Sequence, residues 1–222
     1  MHAGRADRKH TRLCLPGRAF LFEVVDMDQI QRSAVAFRRL LDYQYIIRLG
    51  RKNVLYEFVL DFDRDDFLHL IGLHKMRDLR ELKRSAASIF VDCLKGKITD
   101  KMLMKSEFFD ELGSRFADFD QLEAILDDNR SVFRCNLHTM QAYSTIIADY
   151  LLQTEHHDKT FYLFTERRHG GNRQFCKSFF EKGKTDYANG QMRLTLLYKE
   201  KVNKRTGERQ VQYQKLSEKV PI

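Results

Sequence analysis

The apolar pattern of this chain changes period near residue 130, and that switch limits its possible folds more than any other feature. Before it, DMDQIQRSAVAFRRLLDY places Ile30, Ala34, Phe37 and Leu41 at helical spacing, with Asp26 or Asp28 as N-cap. SAASIFVDCLKGK, DKMLMKSEFFDEL and DFDQLEAILDD read as further helices, with Gly96 and Gly113 as C-terminal stops. After it come SVFRCNL, TIIADYLLQ, TFYLFTER, RQFCKSFFE, MRLTLLYKEKV and ERQVQYQKL. These are short aromatic or β-branched runs, several of them separated by loops such as HGGN, DYANGQ and NKRTGE. Two earlier segments, YQYIIRLG and NVLYEFVLDF, add to the strands, and the intervening GRKN supplies the Gly and Asn that a hairpin loop favours. The expectation is α+β: an antiparallel sheet built mainly from the C-terminal half, packed on N-terminal and central helices.

The chain has 222 residues, 17 of them Phe and none Trp, so its core is expected to be phenylalanine-based. Residues 1–26 are basic, carry no apolar period and read as a disordered arm; residues 27–222 read as one domain. Helical periodicity begins at Met27, a candidate for the natural start. The four cysteines, Cys14, Cys93, Cys135 and Cys176, form no CxxC pair and suit a reducing cytoplasm. No apolar run approaches the roughly 18 residues of a membrane span.

The net charge of +8 is unevenly placed. Residues 159–222 hold fifteen Lys/Arg against six Asp/Glu, whereas residues 23–158 hold nineteen against twenty-four. Basicity gathered in the last third is the electrostatic footprint expected of a nucleic-acid-binding surface, and the alternative is a solvated basic face with no partner.

The stretch DRDDFLHLIGLHKMRD, residues 63–78, carries the candidate chemistry. Read as one short buried helix capped by Asp63 or Asp65, it advances about 100° per residue. His69 and His74 then lie about 140° apart and share no face, and the i, i+4 pair of a zinc site is absent. His74 ends the apolar stripe and reads as a satisfied core or capping histidine. His69 admits both a structural and a functional reading. Gly72 costs about 1 kcal/mol of helix propensity and marks a place where another chain or a ligand could approach closely. His156-His157-Asp158 reads as polar surface on a loop. No phosphate loop, dinucleotide fingerprint, nucleophile elbow or complete metal-ligand set is present, so no cofactor or metal is expected. Phe175, Phe179, Phe180, Tyr187 and Tyr198 interleave with Lys and Arg, as stacking groups do in nucleic-acid interfaces. Tyr187, in a loop, is the hardest of these to assign to a core.

FLHLxGLxK, from Phe67 to Lys75, is followed by YLF at 162–164, SFF at 178–180, DY at 186–187 and LLYKEKVNKRTGE at 196–208. Together these motifs resemble the phage-associated nuclease-like domains, fourth variety, of the barnase–EndoU–colicin–RelE superfamily. The resemblance spans residues 54–216 in order. It implies a helix-plus-antiparallel-sheet fold, a bacterial mobile-element or prophage origin, and metal-independent RNA cleavage. It also implies that His69, Tyr187 and Lys199 are site residues. On this reading His69 is base or acid, Lys199 helps hold the phosphate, and Tyr187 stacks or positions the substrate. Lys75, Arg167, Lys177 and Lys201 contribute to nucleic-acid binding. The alternative is a non-catalytic module of the same fold that binds nucleic acid or a cognate antitoxin protein.

Overall fold

The computed structural model describes residues 27–136, 138–139, 146–168 and 171–215; the N-terminal arm and part of the HGGN turn lie outside the described residues. Helix α1 (Gln29–Leu40) is followed by the hairpin β1 (Tyr43–Arg51) and β2 (Val54–Asp61). Its two-residue turn places Lys52 and Asn53 at φ of 46° and 63°, the left-handed pair that matches strand twist. The helical middle comprises α2 (Asp66–Leu70), α3 (Ala86–Leu94), α4 (Asp100–Leu103), α5 (Gly113–Asp118) and α6 (Leu122–Asp128). Then come β3 (Ser131–Arg134), β4 (Tyr150–His156), β5 (Lys159–Arg167), β6 (Arg173–Glu181), β7 (Met192–Asn203) and β8 (Arg209–Gln214).

The expectation of a simply antiparallel sheet needs correction. The strand order is β1-β2-β6-β5-β4-β3-β7-β8, and β1 also pairs with β7, so seven strands close into a barrel with β8 attached to β7. Closure depends on a parallel seam between β2 and β6 of three register pairs, Val59–Arg173, Leu60–Gln174 and Asp61–Phe175. The remaining pairings are antiparallel, including the expected β7–β8 hairpin. The N-terminal hairpin is thus an integral wall of the barrel.

One face of the sheet and the helices share one core. Phe37 of α1 lies 5.5–6.0 Å, centroid to centroid, from Phe62, Phe67, Phe90 and Phe119, and Phe161 stacks on Phe179 at 5.6 Å. Such ring pairs add about 0.5–1.5 kcal/mol each beyond the area they bury. The phenylalanine core expected from composition is present. A second cluster, Leu151, Tyr162 and Phe164, lies on the other face of β4 and β5 beneath Phe180 and Tyr187. Asp28 and Asp100 cap each other's helices: Asp28 Oδ2 accepts from Asp100 N at 2.8 Å, and Asp100 accepts from Gln29 N and Ile30 N at 2.9 Å. No helix among the described residues is long and apolar enough to cross a membrane.

Candidate active site

The single helix expected over residues 63–78 is broken. Helix α2 ends at Leu70, Gly72 takes φ of 91°, and residues Leu73–Lys75 form a separate 3-10 turn. That left-handed step cancels the 140° separation of an unbroken helix. It brings the imidazoles of His69 and His74 together, with ring centroids 4.7 Å apart and planes inclined by 39°. Both rings are exposed, so the core reading of His74 is overturned; its capping reading stands, because the ring bonds the backbone of Leu68 in the last turn of α2.

Gly72 shows the close approach its residue type suggested. What approaches is the chain's own Arg115, from α5: a Cβ at position 72 would lie 3.0 Å from Arg115 Cδ. The Arg115 guanidinium then passes over the Phe180 ring, 5.6 Å from its centroid. Its burial lowers its pKa, and among the described residues it has no carboxylate partner. A half-buried cation without a counter-ion is a ready anion-binding group.

These groups line a cleft of about 520 Å³ with Asp66, Lys75, Phe175, Cys176, Lys177 and Ser178. Lys75 and Lys177 each have a carboxylate nearby, Glu111 at 3.7 Å and Glu166 at 2.6 Å. Asp66 is buried at the cleft wall, where its Oδ2 accepts from Asp63 N at 2.8 Å and from Arg168 Nη2 at 2.6 Å. Burial pushes its carboxyl up to about 6, against the opposing pull of the Asp63 amide and Arg168. Arg168 also meets Asp63 at 2.9 Å and Asp61 at 3.5 Å, which fixes the start of α2 against the end of β5. His74 is held below the ordinary histidine range, first by its desolvation against the cleft wall and then by His69. The Cys176 thiol, fully buried in the floor, is pushed well up by burial and is no nucleophile.

The cleft therefore gathers His69, Lys75 and Lys177 from the expected set. Tyr187 lies beside it, lining an adjoining hollow that shares Arg115 and Ile146 with the cleft. Its ring meets Tyr162, Phe164 and Phe180 edge-on at 5.5–5.7 Å. Asp186 Oδ1 secures that loop by accepting from the Tyr162 hydroxyl at 2.8 Å.

Three other residues are placed elsewhere. Lys199 is only 1% exposed, and its Nζ donates to the carbonyls of Leu126, Asp127 and Asn129 at 2.6, 2.9 and 3.0 Å, closing the C-terminus of α6. Its expected phosphate contact is therefore corrected to a structural role. Burial, and then the Arg130 charge, pull its ammonium down to about 7, while the Asp127 and Asp128 carboxylates work against that shift. Lys201, expected to bind nucleic acid, is buried between Glu123 at 2.6 Å and Asp127 at 3.0 Å, over the rings of Tyr43 and Tyr45. Both lysines point inward because Leu197 is an extra residue in β7. Tyr198 pairs with Arg48 but Leu196 pairs with Leu49, so the bulge reverses which side chains face the core. Arg167 is exposed at the end of β5 and lies outside the cleft lining.

His157 and Asp158 form a two-residue hairpin turn at φ of 47° and 61°, and His156 bonds Asp128 at 2.9 Å. Among the described residues no group of three histidine, cysteine, aspartate or glutamate side chains is placed to hold a metal ion. Residue patterns missed His74, Asp66 and Arg115. The helical wheel takes His74 away from His69, and nothing local distinguishes Asp66 or Arg115.

A family model described as phage-Barnase-EndoU-ColicinE5/D-RelE like nuclease4 matches residues 29–216, which takes in every residue of the cleft. No curated protein and no solved structure matches the chain.

Proposed function

The chain belongs to the phage-Barnase-EndoU-ColicinE5/D-RelE like nuclease4 family, and from that premise we propose that it cleaves RNA without a metal, by attack of a 2′-hydroxyl on the adjacent phosphate. The carrying observation is the pair of imidazoles 4.7 Å apart beside a guanidinium that has no carboxylate partner among the described residues.

The neighbouring His69 ring adds to the effect of burial in disfavouring a proton on His74. His74, with its lowered pKa, is neutral near pH 7 and takes the proton of the 2′-hydroxyl. The freed 2′-oxygen attacks phosphorus, the bond from phosphorus to the 5′-oxygen breaks, and His69 gives that oxygen its proton. The products are a 2′,3′-cyclic phosphate and a 5′-hydroxyl. Arg115, helped by Lys75 and Lys177, holds the phosphate oxygens as negative charge builds on them. Tyr187 stacks a base of the bound strand.

The test is incubation of the full chain with mixed RNA, and with DNA of matched sequence, in EDTA. Discrete RNA products ending in 2′,3′-cyclic phosphate, with intact DNA, are expected. Cleaved DNA, or RNA ends bearing 5′-phosphate, would overturn 2′-hydroxyl attack. Salt-sensitive RNA binding with no cleavage would leave the non-catalytic module instead.

A further inference from the structure

A second hollow, of about 900 Å³, lies on the other side of residues 146–148. Its lining includes Arg51 at the end of β1, Arg134 at the end of β3 and Arg193 in β7, together with Asn136 and Gln191, and among the described residues it contains no Asp or Glu. Arg134 is supported from behind, 3.4 Å from Asp149 and with its guanidinium 4.8 Å above the Tyr150 ring. Arg193 has a weak contact to Ser131 Oγ at 3.4 Å, and among the described residues Arg51 has no ion pair. Gln191 and Asn136 bond reciprocally at 2.6 and 3.2 Å, which joins the approach to β7 to the end of β3 and forms a polar wall. The two sites are neighbours in sequence as well as in space, because Ile146 lines the histidine cleft and Ile147, 60% exposed, lines the arginine hollow.

We propose that this arginine hollow is a distal backbone site for the same nucleic-acid strand, so that the substrate is an extended single-stranded RNA crossing Ile146 and Ile147 from the histidine cleft to Arg51, Arg134 and Arg193. Three guanidiniums without a carboxylate in the lining match a run of phosphates, and the exposed isoleucine offers an apolar surface for a base between them. A single strand is favoured over a duplex because the exposed Ile147 can pack against the face of a base only where that base is unstacked. This inference rests on the reading of the histidine cleft as an RNA site.

The test uses fully 2′-O-methylated oligonucleotides, which 2′-hydroxyl attack cannot cut, of about four and about sixteen residues, bracketing the span of a single-strand site. Their affinities for the wild-type chain and for the Arg51→Gln/Arg193→Gln double variant are measured over a range of salt. The long strand should bind the double variant about tenfold more weakly, with a salt slope smaller by about 1.4, the share of two phosphates. The short strand should change by less than twofold. Each single variant should show about half the change in slope, which separates a local effect from misfolding. Equal weakening of both strands, or no weakening of the long one, would overturn the inference. If unmodified RNA is never cleaved while the length-dependent arginine effect holds, the cleavage reading fails alone. If RNA is cleaved and the double variant binds like wild type, only the distal site fails.

Discussion

At the scale of single residues, the proposed cleavage depends on two histidines that a helical wheel separates and the chain conformation unites. Because the His74 pKa lies below the ordinary histidine range, activity should rise on the acid side as His74 loses its proton. A kcat/KM profile of His74→Ala should lack the acid limb, whereas Asp66→Asn should keep it. Lys199 makes a contrasting prediction. Lys199→Met strands three carbonyls that now accept from its Nζ and should cost about 2–4 kcal/mol in denaturant unfolding. Activity per folded molecule should be unchanged. The burial-lowered pKa also gives a sign. The unfolded state binds the extra proton between about 7 and the ordinary lysine value, so this group adds stability as pH rises through that window.

At the scale of elements, short connections do much of the positioning. Gly72→Ala forces a side chain into φ of 91° and places its Cβ 3.0 Å from Arg115 Cδ. It should cost about 1–2 kcal/mol in unfolding experiments and, by displacing Arg115, raise KM for RNA several-fold. Asp100→Ala removes the acceptor of two helix-start amides and should destabilise by about 1–2 kcal/mol with KM unchanged. The same elements show what the residue pattern could convey. Alternation and turn residues identify strand segments because their signal is local. The six runs after residue 130 correspond to β3–β8, and the Asn of GRKN sits in the turn between β1 and β2. Gly72 was legible as a special position, but its left-handed φ, which invalidates the wheel for His74, was not. Lys199 and Lys201 look like solvated cations in KEKV because nothing in that motif announces the bulge at Leu197.

At the scale of the whole molecule, barrel closure is what assembles the site. The seam between β2 and β6 joins segments more than a hundred residues apart through three register pairs, a long-range pairing with no local signal. Its brevity makes it the place where the barrel should open first. Native-state hydrogen exchange should therefore show weaker protection at Val59 and Phe175 than at Ile47 or Leu163 within the longer antiparallel ladders. Closure sets β6, which supplies Phe175 to Ser178, against α2 and α5, which supply His69 and Arg115, with His74 on the 3-10 turn that follows α2. The basic excess of the last third is only partly a binding surface, since Lys199 and Lys201 are consumed inside the fold.

The most direct test of the histidine pair is kcat/KM for RNA cleavage in EDTA by wild type, His69→Ala, His74→Ala and the double variant. Each single change should lower the rate by about 10²–10⁴ and the double change should be little worse than either, as for two groups that act as one unit. Single variants that cleave at the wild-type rate, while Arg115→Ala abolishes cleavage, would place the proton transfers elsewhere and contradict the proposed cleavage by the histidine pair.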